Sequence, residues 1–295
     1  MKHAYLIMCH NQWELLQELL KELDDPRNDI YLHIDKKQLC VPVDDISSCI
    51  KYSDVYFTKR HNIVWGGTQI MKCSISMLEE AMRIGYSYYH LISGVDFPLK
   101  SQDEIHMFFK KNDNLQYVSF DWDGIKDNRF VSRVQYFHFF KDIIGKGDNK
   151  MCVHRVLAKL ESLSLALQKK LHVNRLNYIM YKGANWFSIT HLTTEAIIEN
   201  KRMFFKKYKF TANCDEIWLQ TFLMQSEFRE QLAGTNMRYI KWKQGNPSPE
   251  ILTLGDYEDM VRSNCLFARK FDWNTNRDVI LKLKDHLKSK QPPSQ

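Results

Sequence analysis

Short β-rich runs alternate with helical patterns through the first hundred residues, and this alternation limits the fold more than any other feature. The predicted strands are AYLIMCH at 4–10, DIYLHID at 29–35, VYFTKR at 55–60 and YYHLISG at 88–94. Capping boxes are predicted where Asn11 precedes Glu14 and where Ser101 precedes Glu104. Strands alternating with helices favour an α/β fold, with a mainly parallel central sheet and helices on both faces.

The second half of the chain is less regular. Strands are predicted at 117–121, 186–190 and 237–242, and helices at 155–172, 194–208 and 215–225. A last amphipathic helix is predicted at 277–290. Since no stretch has the composition of a linker, we expect one domain over residues 1–295.

The formal charge of +7 comes from basic residues that are spread along the chain until the last twenty residues. This dispersion argues against dedicated nucleic-acid binding, whereas a phosphate-bearing substrate or an anionic lipid suits the surplus. The predicted last helix either packs on its own domain with a solvated basic face or makes peripheral contact with an anionic membrane. It carries Ile280, Leu281, Leu283 and Leu287, with Lys282, Lys284, Lys288 and Lys290.

The 7 cysteines form no CxxC pair, and the first residues lack the apolar run of a signal peptide or membrane span. From these features we expect reduced thiols and a cytoplasmic protein, peripheral on the inner face of the membrane if the last helix docks there.

Polar residues collect where the predicted strands end, at 9–10, 33–35, 59–61 and 93–96. In parallel sheets, ligands bind beyond the carboxyl ends of the strands, so these ends predict a site. The glycine-rich GxGxxG and Walker patterns are absent, which argues against dinucleotide oxidoreductases and P-loop enzymes. The HExxH and GxSxG patterns of common hydrolases are absent as well.

Six runs, in order along most of the chain, resemble the motifs of the core-2/I-branching family (glycosyltransferase family 14), which contains β-1,6-N-acetylglucosaminyltransferases and xylosyltransferases. They are LHIDKK at 32–37, IVWGGTQIMK at 63–72, YYHLISGVDFPLKS at 88–101, KGANWFSIT at 182–190, CDEIWLQTFL at 214–223 and LFARKFD at 266–272. Each run alone is weakly specific, but their order and spacing together make the resemblance specific. The missing leader and unpaired cysteines suit a bacterial member that builds surface polysaccharide.

The resemblance implies a GT-A-type fold and an inverting transfer without a metal or other cofactor. The donor would be a UDP-sugar, with N-acetylglucosamine or xylose as the sugar, and the acceptor an oligosaccharide or lipid-linked glycan. Residues 1–115 would bind the nucleotide sugar, 116–275 would supply the acceptor and catalytic side, and 276–295 would form the basic helix and tail.

By the same resemblance, Glu216 matches the general base and Lys270 the lysine that contacts the diphosphate. On the residues alone, Asp215 and Glu216 equally suit a helix cap, and Lys270 a solvated charge. The family's second cation is missing from its place in PSPEILT. Lys243 is the preferred substitute, with Lys241, Arg238 and Arg269 as alternatives.

The remaining predicted contacts fall into a donor group and an acceptor group. The donor group is Asp35, Trp65, Gly66, Gly67 and Asp96. The acceptor group is Asp123, Arg129, Arg133, Tyr136 and Trp186, of which the first four equally suit a solvated rim. Two alternatives stay open: a metal-dependent transferase that uses Asp121 and Asp123 of the DWD run, and a non-catalytic sugar- or nucleotide-binding module.

Overall fold

The structure is a computed structural model that describes residues 1–121, 130–145, 152–243, 245–246 and 248–290. Its strands are β1 (His3–Cys9), β2 (Asn28–Ile34), β3 (Asp54–Phe57), β4 (Tyr88–Ser93), β5 (Asp96–Pro98), β6 (Phe187–Thr190), β7 (Arg238–Ile240) and β8 (Phe267–Arg269). The helices of the first half are α1 (Trp13–Leu23), α2 (Val43–Ser48), α3 (Gln69–Met82) and α4 (Gln102–Lys111). Those that follow are α5 (Ser132–Gln135), α6 (Lys141–Ile144), α7 (Cys152–Lys170), α8 (His191–Glu199), α9 (Lys201–Lys207), α10 (Trp218–Met224), α11 (Tyr257–Arg262) and α12 (Trp273–Ser289).

The central sheet has the strand order β3-β2-β1-β4-β6. Strand β1 pairs in parallel with β2 and β4, and β2 pairs in parallel with β3. Strand β6 runs antiparallel to β4 at one edge. This confirms a mainly parallel sheet, and it joins the predicted nucleotide half to the second half through β4 and β6. A smaller sheet, β5-β8-β7, lies beside it.

Both faces of the central sheet are covered, as predicted. In β1, Tyr5 and Ile7 belong to one apolar cluster, which includes the buried leucines of α1 and the inner side of α12. Leu6, which points to the other face, belongs to a second cluster with residues of α3, α8 and α10. Successive strand residues point to opposite faces, so a strand buried on both sides reads as a continuous apolar run.

Of the two predicted capping boxes, one is confirmed and one is wrong. Ser101 and Glu104 form the reciprocal hydrogen bonds of a capping box at the start of α4. Helix α1 is instead preceded by Gln12 in a left-handed conformation, without a side-chain cap. The Gln12 side chain accepts a hydrogen bond from the backbone N–H of Trp273 at 3.0 Å, so a contact distant in sequence determines this helix start.

Three predictions for the second half need correction. Residues 117–121 form no strand; Tyr117 makes only an isolated bridge, with Ser188. The helix predicted at 194–208 is divided into α8 and α9 at Asn200, whose side chain donates to the Ala196 carbonyl and competes with the helical pattern. The helix predicted from 215 begins with a 3₁₀ turn, Cys214–Glu216, and only then becomes α10.

The last helix, α12, begins at Trp273 and has non-helical dihedral angles at Asn276. Its apolar side, with Ile280, Leu283 and Leu287, is buried against the core. A membrane contact through α12 stays a prediction, and it would have to use the lysines and the half-exposed Leu281. Within the described ranges, no helix combines the length and apolar character needed to cross a membrane.

Candidate functional site

Asp35 follows β2 at the carboxyl edge of the central sheet. Its backbone N–H donates to the Cys9 carbonyl at 3.0 Å, which holds the ends of β1 and β2 together. Its carboxylate is nearly buried and lies 3.3 Å from the Lys37 ammonium. The same ammonium donates to the Ile63 carbonyl at 2.5 Å. Asp35 is therefore linked through Lys37 to the loop that leads to Trp65.

Arg60 and His33 contribute to this edge without having been predicted as contacts. Arg60 donates to the Asp35 carbonyl at 2.8 Å. The Nε2 atom of His33 accepts from the His61 backbone N–H at 2.9 Å. Burial, and then the charge of nearby His61, lower the pKa of His33 to about 4, so its ring is neutral near pH 7. The polarity of the strand ends was the sequence signal for these residues.

The predicted nucleotide-contacting turn, residues 65–68, precedes α3. Trp65 is 44% exposed, which leaves much of its ring open to a ligand. Gly66 has φ +84°, a left-handed conformation that favours glycine. A Cβ on Gly67 would lie 3.2 Å from the Asp142 Cα and closer to its carboxylate, which accepts from the Thr68 hydroxyl at 2.7 Å. The close approach that Gly67 permits is therefore to α6 of this chain.

A hydrogen bond joins this turn to the turn that carries Glu216. The backbone N–H of Asn213 donates to the Gly66 carbonyl at 2.9 Å. Asn213 has φ 49°, and the 3₁₀ turn Cys214–Glu216 follows it directly. The motif predicted to contact the nucleotide is thus a neighbour of the motif predicted to hold the base, although the two lie far apart in the sequence.

Glu216 lies in a cluster of opposite charges. Its Oε2 atom is 2.7 Å from Arg133 Nη1 and 3.6 Å from Lys182 Nζ. Lys182 also lies 2.6 Å from an oxygen of Asp121. The Glu216 side chain keeps 32% of its surface exposed, so one side of the carboxylate is open to a ligand. Two cations therefore lie next to Glu216, which also stands just before the N-terminus of α10.

Phe130 contacts both cations, and Gly183 joins the segment that carries Lys182 to the turn that carries Glu216. The Arg133 guanidinium lies 4.5 Å, and the Lys182 ammonium 4.9 Å, from the centre of the Phe130 ring. Gly183 donates its N–H to the Glu216 carbonyl at 2.9 Å. A Cβ on Gly183 would be 2.7 Å from the Ser119 carbonyl carbon, so only glycine fits. Lys182 was not predicted as a contact, although it opens the KGANWF motif.

Asp215, next to the predicted base, points into the protein. Burial, and then the Glu216 charge, raise the pKa of Asp215 to about 7. Its Oδ1 atom has no hydrogen-bond partner among the described residues. The paired carboxylates therefore have different surroundings: Asp215 is buried, and Glu216 faces two cations and solvent.

Asp96 and Trp186 are brought together by Arg269. Asp96 is fully buried, and its carboxylate accepts from the Ser93 N–H at 3.2 Å, from the Ser93 hydroxyl and from Arg269 Nε at 3.0 Å. The Arg269 guanidinium lies 4.2 Å from the centre of the Trp186 ring. Asp96 thus orients Arg269. Direct contact of Asp96 with a donor stays a prediction.

Lys270 directly follows β8 and is partly exposed. Of the candidates for a second cation, Lys241 is 2.6 Å from Asp256, and Arg238 is buried with its guanidinium donating to the Phe187 carbonyl at 2.7 Å. Lys243 is exposed and makes no ion pair with a described residue. Arg269 is the candidate adjacent to Lys270 in the chain.

The remaining predicted contacts are less well placed. Tyr136 is the partly buried residue that directly follows α5, close in sequence to Arg133. Asp123 and Arg129 lie outside the described residues. Across the part of the chain that the structure describes, no three His, Cys, Asp or Glu side chains group as metal ligands. Because Asp123 is outside that part, metal independence and the Asp121/Asp123 alternative both stay predictions.

Together, the fold and the site define an α/β protein whose sequence motifs meet at one edge of a mainly parallel sheet. Residues 3–261 match the Core-2/I-Branching enzyme family, and the chain belongs to that family. The chain is similar to Xylosyltransferase 2 of Canis lupus familiaris, with 21% identity over 98% of this chain and 34% of that protein. It thus spans about a third of the length of this relative.

A second relative is the Beta-1,3-galactosyl-O-glycosyl-glycoprotein beta-1,6-N-acetylglucosaminyltransferase of Homo sapiens. It is 23% identical over 97% of this chain and 70% of that protein. Among solved structures, the apo form of mouse Xyloside xylosyltransferase 1 aligns with a TM-score of 0.41 and 8% identity, covering 93% of this chain and 99% of that chain.

Proposed function

We propose that this chain is a GT-A-type glycosyltransferase that moves N-acetylglucosamine or xylose from a UDP-sugar to a hydroxyl of a glycan acceptor. The observation that carries the proposal is the hydrogen bond between Asn213 and Gly66, which puts Trp65 and Glu216 on adjoining turns. A nucleotide stacked on Trp65 would have its sugar next to a carboxylate. Membership of the Core-2/I-Branching enzyme family and the names of the relatives support the same reaction class.

Glu216 is the proposed general base of an inverting transfer. Its open carboxylate oxygen takes the proton of the acceptor hydroxyl, while the acceptor oxygen forms a bond to the anomeric carbon. The bond from that carbon to the diphosphate breaks, and its electron pair leaves with UDP. Arg133 and Lys182 hold the carboxylate in place from the other side.

Lys270 is the proposed residue that neutralises the leaving diphosphate. We place Arg269, adjacent to it, ahead of Lys243 as the second cation, because Asp96 and Trp186 fix the Arg269 guanidinium. A preorganised cation stabilises developing charge without first having to be ordered.

Metal independence is part of the proposal. The Asp121 carboxylate is already paired with Lys182 at 2.6 Å, and a divalent ion would have to compete with that ammonium for the same oxygens. Treatment with EDTA leaves activity intact under the proposal and abolishes it if Asp121 and Asp123 bind an essential metal.

The test of the base is UDP release with a panel of UDP-sugars, including UDP-N-acetylglucosamine and UDP-xylose, over a set of glycan acceptors. Glu216→Gln should lower turnover by at least about 100-fold, because general-base catalysis typically contributes that much or more. Donor binding, measured by calorimetry, should change little.

The matched control is Glu195→Gln, since Glu195 is an exposed glutamate on α8. Equal turnover in Glu216→Gln and the wild type would refute the assignment of the base. Donor binding by the wild type without turnover on any acceptor would instead favour the non-catalytic binding module.

A further inference from the structure

Helix α7 presents a continuous apolar face to solvent. Its outward side chains are between 44% and 66% exposed: Val153, Val156, Leu160, Leu163, Leu167 and, in the turn that follows, Leu171. At about 100° per residue, they fall within an arc of roughly 80° around the helix axis. The residues that α7 buries are polar, Glu161 and Gln168. The usual arrangement of an amphipathic helix is therefore inverted here.

Hydrogen bonds of the two buried polar residues fix this orientation. Glu161 lies 3.0 Å from His138 Nδ1 and accepts from the Phe140 N–H at 3.1 Å. Gln168 accepts from the Phe137 N–H at 2.7 Å and donates to the Phe137 carbonyl at 2.9 Å. Rotating α7 to bury its leucines would break these bonds and leave buried polar groups unsatisfied. The apolar face is thus held outward by the fold.

The charge on the outer side of α7 is positive. Lys159, Lys169 and Lys170 are exposed. Glu161 is the only carboxylate within Cys152–Lys170, every residue of which the structure describes, and it faces inward. Two copies of this face would bring lysines of like charge together without a carboxylate to pair with them. An anionic partner has no such penalty.

We propose that α7 docks on the surface of an anionic membrane, lying flat with its aliphatic side chains among the acyl chains and its lysines at the lipid phosphates. An exposed apolar face with adjoining lysines is what interfacial helices use. At 19 residues, α7 is about 28 Å long, enough to lie across several lipid head groups. The proposal goes beyond the glycosyltransferase function and does not depend on it.

The test is sedimentation of the full chain with phosphatidylcholine vesicles that contain roughly 30% phosphatidylglycerol, compared with pure phosphatidylcholine. Wild-type protein should partition onto the anionic vesicles at least about tenfold more strongly than onto the neutral ones. Leu160→Glu/Leu163→Glu should lower binding by about tenfold or more, because it places charge in the apolar face. Lys159→Glu/Lys170→Glu should abolish the preference for anionic lipid.

Matched controls change the same residue types elsewhere on the surface. Leu192→Glu alters an exposed leucine of α8, and Lys110→Glu/Lys111→Glu alters exposed lysines at the end of α4. Both should bind vesicles as the wild type does, and circular dichroism verifies that every variant is folded.

Two results would overturn the proposal. One is the absence of vesicle binding by the wild type, and the other is unchanged binding by the Leu160→Glu/Leu163→Glu variant. If the wild type binds no vesicles but forms a dimer in analytical ultracentrifugation that this variant converts to a monomer, the face is assigned to contact between copies of the chain.

Discussion

Arg269→Met would remove the cationic partner of a buried carboxylate. Asp96 is fully buried, and the Arg269 side chain is only 13% exposed, so solvent screens their 3.0 Å contact weakly. After the substitution, the hydrogen bonds that Asp96 would keep with the described residues are those from the N–H and hydroxyl of Ser93. Removing one partner of a buried ion pair typically costs 3–5 kcal/mol, so the free energy of unfolding should fall by about 3 kcal/mol.

A second variant separates the lost charge pairing from the lost packing of the Arg269 side chain. In Asp96→Asn/Arg269→Met, the buried charge is gone, while the amide oxygen still accepts from Ser93. The double variant should therefore be more stable than Arg269→Met alone, by about 1 kcal/mol or more.

The assay is equilibrium unfolding in guanidinium chloride, followed by fluorescence and circular dichroism. The control is Arg262→Met, because Arg262 and its partner Glu258 are 77% and 64% exposed at 3.5 Å. An exposed pair contributes little, so this change should cost no more than about 0.5 kcal/mol. A loss of unfolding free energy in Arg269→Met as small as that in the control would refute the charge pairing of Asp96. Additive destabilisation by the Asp96 and Arg269 substitutions would refute it as well.

Two further predictions concern stability. Gly183→Ala should lower the free energy of unfolding by about 2 kcal/mol or more, because the new Cβ would overlap the Ser119 carbonyl. The control Gly255→Ala, where the nearest neighbour atom is 3.5 Å away, should be nearly neutral. Equal melting temperatures of the two variants in thermal unfolding would contradict this prediction. Burial lowers the pKa of His3 to about 2 in the folded protein. Below about pH 6.5, His3 therefore binds a proton in the unfolded chain but stays neutral in the folded protein. Stability should therefore be complete above that pH and fall by roughly 2 kcal/mol from pH 7 to pH 5 on account of His3. In His3→Gln, the loss of stability between pH 7 and pH 5 should be smaller by roughly 2 kcal/mol. In the control His172→Gln, at an exposed site, the loss should equal that of the wild type. The same pH dependence of stability in wild type and His3→Gln would exclude His3 as the cause.

Local patterns in the sequence determined the elements of the central sheet. The runs that form β1, β2 and β4 are buried on both faces, so their continuous apolar character identified them. The capping box of Ser101 and Glu104 was readable because its partners are three residues apart. The motifs of the sequence also identified the family, and they included Glu216 and Lys270.

Tertiary structure decided the features that depend on partners distant in the chain. The start of α1 could not be predicted from local sequence. Gln12, not Asn11, precedes the helix, and its side chain accepts a hydrogen bond from the Trp273 N–H. The contact of Glu216 with Arg133 spans 83 residues, and that of Lys182 with Asp121 spans 61. Periodicity and capping report only on neighbours within a turn or two, so the sequence by itself supplied the strands and the candidate base. The cations around that base, the buried role of Asp96 and the outward apolar face of α7 became visible only in the folded chain.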